Sequence, residues 1–137
     1  MKVDWSENPD HLAALQLAVG VEFFKPVHWL SIVDDADRLV VVFAFHAFSI
    51  GGCELSVASF RRATVHPRLL AEVFAYPFYQ LSLRRMTAII AADNPASLQT
   101  AKRLGFRVEG LLRQWYPQAD GICHGMLKEE CKWLRRR

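Results

Sequence analysis

Hydrophobic and polar positions along this chain switch between two periods, and the switches mark its elements. Residues 8–20, NPDHLAALQLAVG, place apolar side chains at helical spacing, with Asn8 as cap, Pro9 at the first position and Gly20 as stop. HWLSIV (28–33) and RLVVVFAFHAF (38–48) read as strands joined by the acidic turn DDAD. The second is apolar on both faces, which predicts a central strand. IGG then breaks the chain before a further strand, CELSVASF (53–60).

Residues 66–83, HPRLLAEVFAYPFYQLSL, predict a helix opened by Pro67, with a stripe of Leu69, Leu70, Val73, Phe74, Phe78 and Leu81. Pro77 lies inside it and is expected to kink or break it one turn before its end. MTAIIAA (86–92) is a near-continuous apolar strand. In the stretch DNPASLQTAKRLGF, Asn94 is a good cap and Pro95 suits the first helical position, where no N–H is needed. Leu98, Ala101 and Leu104 form the buried stripe, and Lys102 and Arg103 sit near the negative end of the dipole. Gly105 falls where a left-handed cap is expected, with Phe106 folding back on the last turn. FRVEGLLRQWY (106–116), the turn PQADG and ICHGML (122–127) predict an antiparallel strand pair, and KEECKWL a short terminal helix.

The helix between CELSVASF and MTAIIAA is a crossover, so those two strands are expected to be parallel neighbours. The fold class is therefore α/β (α+β), with a mixed sheet that changes from antiparallel to parallel at residues 53–60. Ligands tend to bind at such a change, outside the carboxyl ends of the strands. At 137 residues and 52% hydrophobic, the chain reads as one globular domain over 1–137, without repeats or linkers. No apolar run reaches the length of a membrane span, and the N-terminus lacks an apolar signal region, so a cytoplasmic protein is expected.

Charge sharpens the position of the site. Residues 1–60 carry three Lys/Arg against eight Asp/Glu, a balance of −5, whereas residues 61–113 carry nine against three, a balance of +6. The terminal Arg135–Arg137 run alone equals the net charge of +3. A basic middle in a nearly neutral chain points to a local anionic ligand, or else to a solvated basic face. No helix-turn-helix signal or aromatic-interleaved basic groove supports nucleic-acid binding, which is not expected. Cys53, Cys123 and Cys131 are odd in number and lack metal-type spacing, so they read as free thiols of a reducing compartment. A nucleophilic Cys123 beside His124 is the competing reading, but adjacent strand residues point to opposite faces. His28, His46 and His124 read as core or rim residues. Trp115 and Tyr116 either line an acceptor cleft or pack the late hairpin.

The run from Met86 to Leu134 resembles the second half of a GNAT-superfamily N-acetyltransferase, in particular the branch that acetylates ribosomal-protein N-termini. The matching elements are an apolar strand ending in Asn94, then Ser97, KRLGF, EGLLR (109–113), a turn with Asp120-Gly121, and MLKEECKWL. Short forms of this kind are similar to those among genes of phages and their bacterial hosts. The first 50 residues fit loosely and look shortened.

The resemblance implies a GNAT fold that binds acetyl-CoA as cosubstrate, without a metal, and transfers acetyl to a primary amine by direct attack in a ternary complex. The acceptor would be a protein N-terminus or a small amine. No membrane partner is implied, and a homodimer is compatible with it. Strands 53–60 and 86–92 would splay and take the pantetheine arm between them, with a backbone N–H of the first stabilising the oxyanion. Glu54, on that strand, is the candidate base, and a paired or solvated strand carboxylate is the plainer reading of it. Phe60, Arg61, Arg62, Asn94, Ser97 and Arg103 are the candidate cofactor-binding residues. The same family carries a loop of the form Arg/Gln-x-x-Gly-x-Gly/Ala, whose N–H groups hold the pyrophosphate. Here RRATVHPRLL puts Thr64 and His66, or Val65 and Pro67, at its small positions. Either Arg61, Arg62, His66 and Arg68 compensate by side-chain charge, or the site is degenerate and the protein is a non-catalytic GNAT-fold structural or interaction component. Many family members also place a general-acid Tyr four residues before the Gly-Phe, where Ala101 stands here.

Overall fold

The computed structural model describes residues 1–134, and the Arg135–Arg137 run lies outside the described residues. Seven strands form one sheet in the order β1-β2-β3-β4-β5-β7-β6. β2 (His28–Val33), β3 (Leu39–Ser49) and β4 (Gly52–Ser59) are antiparallel neighbours, β4 and β5 (Arg85–Ala91) are parallel, and β7 (Gly121–Leu127) runs antiparallel between β5 and β6 (Arg107–Leu112). The expected change of direction at 53–60 is present. β1 (Lys2–Asp4), which hydrophobic periodicity does not mark, adds an antiparallel edge to β2.

β3 is central because its two faces serve two layers. Val41, Phe43 and Phe45 join Cys53, Leu55, Met86 and Ala88 under α2 (Pro67–Ala75), which contributes Leu69, Leu70, Val73 and Phe74. On the other face Val42 and Ala44 pack against Leu15 of α1 (Pro9–Val19). Asn8 caps α1 by accepting from Asp10 N at 2.9 Å, and Gly20 ends it in the left-handed region, as the pattern predicts.

Two expectations are corrected. The helix opened by Pro67 does not run to residue 83: α2 stops at Ala75, and a π-helical turn, Tyr76–Gln80, carries Pro77 and Phe78 into the core. Proline removes one helical N–H and crowds the preceding turn, so the chain widens its hydrogen-bond ring instead of continuing. The terminal KEECKWL is no α-helix either; Lys128–Glu130 form one 3-10 turn, held by a 2.9 Å bond from Leu127 N to the Glu130 carboxylate.

α3 (Pro95–Leu104) forms between β5 and β6, capped at both ends as predicted. Asn94 Oδ1 accepts from Ser97 N at 3.1 Å. At the other end Gly105 N bonds Lys102 O at 3.1 Å and Phe106 N bonds Ala101 O at 3.0 Å, the paired closure of a Schellman cap, with Phe106 buried. Trp133 Nε1 donates to Leu104 O at 2.9 Å, so Trp133 is pinned to the same cap. Gly105 has φ +105, where a Cβ is strained. Gly105→Ala should therefore lower stability by about 1–2 kcal/mol, read as a drop in Tm, whereas an exposed change such as Gln99→Ala should leave Tm nearly unmoved.

Candidate functional site

The parallel ladder between β4 and β5 has three rungs, Gly52↔Arg85, Cys53↔Met86 and Glu54↔Thr87, and then stops. Both strands continue, β4 to Ser59 on β3 and β5 to Ala91 on β7. Beyond Glu54 and Thr87 they therefore diverge, and the sheet opens between two separately paired halves. Phe60 N bonds Val40 O, so ladder alternation turns the backbone of Val57 and Ser59 away from β3 and into the opening. Ala92 N bonds Asp120 O, which by the same alternation turns Ile89 and Ala91 into it from the other side. This is a slot edged with backbone hydrogen-bonding groups, suited to an extended, amide-bearing arm.

On the α2 and α3 side of the sheet, beside the diverging end of β4, lies a cleft of about 240 Å³, whose walls include Val57, Ser59, Arg61, Thr100 and Arg103. The structure thus brings two of the expected cation-bearing residues, Arg61 and Arg103, to one cleft. Phe60, just past the carboxyl end of β4, is exposed, and Arg62 is exposed outside the cleft lining. Asn94 and Ser97 lie at the N-terminus of α3, where the Asn94 carboxamide oxygen is committed to capping. A larger recess, about 360 Å³, sits at the opposite end of these strands by Gly51, Arg84 and Lys128, away from the divergence.

The N-terminus of α2 is closed to an anion. His66 Nδ1 accepts from Arg68 N at 3.0 Å, Leu69 N bonds His66 O at 2.9 Å, and Pro67 has no N–H. The backbone donors that a helix N-terminus would offer a phosphate are already occupied. Sequence reasoning found the missing glycines but not the histidine cap, although His-Pro directly before a helical stripe is a recognisable capping position.

Glu54 lies at the last rung, its side chain on the α1 face together with those of Thr87 and Ile89, because alternate strand residues share a face. It is half-buried, and desolvation pushes its carboxyl above the ordinary value. Around it stand groups that sequence reading did not assemble. His46 Nε2 is 2.9 Å from Ser56 Oγ, its ring stacks on Phe23 at 4.1 Å, and burial pushes its pKa down to about 4. Arg85 pairs with Glu109 at 2.7 Å and donates to Thr87 Oγ1 at 3.1 Å. The Tyr116 hydroxyl donates to Ile89 O at 2.8 Å, and burial, then the Glu54 charge, raises its pKa. Cys123 is half-buried on this face and His124 is buried on the other, so they form no nucleophilic pair. Burial, followed by the Glu54 charge, pushes the Cys53 thiol up to about 12, which leaves it inert. His28, paired with Glu7 at 3.2 Å, is a rim residue. Among the described residues no group of three His, Cys, Asp or Glu is placed to hold a metal ion, and no helix is long and apolar enough to cross a membrane.

No family model matches the sequence. The chain is similar to an uncharacterized N-acetyltransferase, YoaA, of Bacillus subtilis, at 30% identity over 90 residues, covering 61% of this chain and 50% of that protein. It thus spans about half the length of that curated relative. Among solved structures it is similar to a spermidine N-acetyltransferase, a SpeG variant, from Vibrio cholerae, with TM-score 0.67, 19% identity, and 95% of this chain and 80% of that one covered. It is also similar to a ribosomal-protein-S5-alanine acetyltransferase from Vibrio fischeri, with TM-score 0.65, 14% identity and coverage of 88% and 70%. A GNAT-family acetyltransferase from Bacillus anthracis gives TM-score 0.62 at 21% identity, with coverage of 74% and 67%. These likenesses establish the fold.

Because the Glu54 pKa is raised on folding, its ionisation opposes the native state, and stability falls as pH rises from the unfolded pKa through the folded one. Glu54→Gln should raise Tm at pH 7, and the gain should shrink as pH falls through the carboxyl range. Thermal melts from pH 7 down to pH 4 check the sign; an E54Q Tm below wild type at pH 7 contradicts the burial assignment.

Proposed function

We propose that this chain, which carries the fold of the GNAT-family N-acetyltransferases, transfers an acetyl group from acetyl-CoA to a primary amine in a ternary complex. The observation that carries the reading is the three-rung ladder and the opening beyond it. In this reading the pantetheine arm lies between β4 and β5 as an extra strand, and its amides meet the backbone of Val57 and Ser59. The first β4 donor turned into the opening past the last rung, the Val57 N–H, is aimed where a tetrahedral oxyanion would form.

The amine attacks as a free base, so its proton must go to an acceptor at the last rung. Glu54 is that base, directly or through one water, and its raised pKa brings it closer to the operating pH. The phosphates are held by side chains in place of a backbone cradle. Arg61 and Arg103 in the cleft, with the neighbouring exposed Arg62, supply the charge, while Phe60, Asn94 and Ser97 flank the arm. Acceptor class follows from the relatives only as two probes, spermidine and a peptide with an N-terminal alanine. We assign it to the cytoplasm, where acetyl-CoA and three free thiols coexist.

The capped N-terminus of α2 favours one rival, a GNAT-fold protein that has lost the donor and acts through its surface. Calorimetric titration with acetyl-CoA separates the two: saturable binding supports transfer, and no heat at millimolar ligand supports the rival. If side chains hold the phosphates, affinity should fall steeply with salt, since exposed charges are screened over about 8–10 Å at physiological ionic strength. Arg61→Gln with Arg62→Gln should nearly abolish binding while shifting Tm little, because surface changes usually cost under about 0.5 kcal/mol. Affinity that is unchanged in this double variant and independent of salt contradicts the side-chain assignment. With either acceptor, Glu54→Gln should lower kcat roughly 100-fold or more.

A further inference from the structure

A transfer from a thioester releases a thiolate, which departs more readily when a proton reaches it. Ala101, at the position where the family resemblance leads one to look for that acid, has no proton to give. We infer that Tyr116, carried on the hairpin between β6 and β7, is the general acid of this site; the inference rests on the acetyl-transfer reading above.

Three observations place the hydroxyl. Ile89 lies two residues past the last β4–β5 rung, and its backbone is turned into the opening by the alternation of the β5–β7 ladder. Tyr116 donates to that Ile89 oxygen at 2.8 Å, so the phenol oxygen stands in the opening itself. Glu54 stands at the last rung opposite Thr87, two residues before Ile89, so base and acid lie near one another at the apex of the divergence, and the Glu54 charge acts on the phenol. The hairpin reaches this point because Gly121 has no side chain: a Cβ there would come within 2.9 Å of both Ile89 Cγ2 and Trp115 Cβ.

A hydroxyl hydrogen is a rotor. It turns from the Ile89 oxygen to a sulfur beside it with no heavy atom moving, and the carbonyl bond meanwhile holds the oxygen in place. Burial, then the Glu54 charge, keeps the phenol protonated across the neutral range. In the step, the amine nitrogen bonds to the acetyl carbon and the carbon–sulfur bond breaks. Glu54 takes the amine proton and the thiolate takes the Tyr116 proton. Return of the Glu54 proton to the phenolate through solvent then restores both groups.

The test is Tyr116→Phe, which keeps the ring and removes the proton. Acetyl-CoA affinity is measured by calorimetry. Turnover is followed as release of the CoA thiol, with spermidine or an N-terminal alanine peptide, whichever the wild type acetylates. The expected result is an unchanged Kd and KM, kcat lower by roughly 100-fold, and loss of the alkaline limb of the kcat profile. A second protein with 3-fluorotyrosine at position 116 alone keeps the hydrogen bond and lowers the phenol pKa, so its alkaline limb should move to lower pH.

Unchanged kcat in Y116F overturns the inference. So does a fall in kcat with the wild-type profile retained, which marks a brace for the hairpin. Tighter acetyl-CoA binding with faster turnover marks a plug and overturns it as well. A wild type that binds acetyl-CoA without turning it over removes the acid role together with the transfer reading, whereas wild-type turnover with an unaffected Y116F removes the acid role alone.

Discussion

The site depends on one constraint: β4 and β5 each stay paired with their outer neighbours to their ends and pair with each other only at their beginnings. A strand edge left open inside a sheet exposes backbone groups that need partners. Here the open length is kept by the two halves of the sheet, each a rigid antiparallel unit, and by the two helices that follow the diverging strands. α2 covers the β3–β4 half through Leu69, Leu70, Val73 and Phe74, and α3 leans on the β5 half through Ala101. Because both crossovers leave from the divergent ends, the loops that carry Arg61 and Asn94 are delivered to the same opening.

Electrostatics divides the two faces of that opening. Cationic side chains, Arg61 and Arg103, line the cleft under α3, whereas carboxylates, Glu54 and the Arg85-paired Glu109, lie near the opening on the other side of the sheet. An anionic donor entering from one side and a cationic amine from the other would each meet the opposite sign of charge. In the proposed site the capped N-terminus of α2 would leave the phosphates to side chains alone, an arrangement more sensitive to salt than a backbone cradle.

Much of the fold was legible because its elements are long enough for a period to repeat. β3 showed as a two-faced apolar run, and α3 announced both of its ends through Asn94, Pro95 and Gly105. β1, three residues long, is too short for any period to declare itself. The π-helical turn was half legible: Pro77 marked the break, but how the chain absorbs it is settled by Phe78 packing into the core. The site was legible only in part, for a physical reason. Arg61 and Arg103 share a cleft across two crossovers, Tyr116 reaches a carbonyl 27 residues away, and His46 meets Ser56 across a hairpin. Such pairings arise from register and twist, which leave no local signature. Glu54 could be singled out beforehand only through a family resemblance, since one carboxylate on a strand carries no pattern of its own.

In the proposed mechanism an acyl-CoA arm completes the sheet between β4 and β5. Amide hydrogen exchange on the whole protein, with and without saturating acetyl-CoA, addresses it directly, because ladder formation protects the amides that join it. Slower exchange confined to residues 55–60 and 87–94 is the expected result. Protection confined to the recess by Gly51, Arg84 and Lys128, or an exchange pattern unchanged by the ligand, would contradict it.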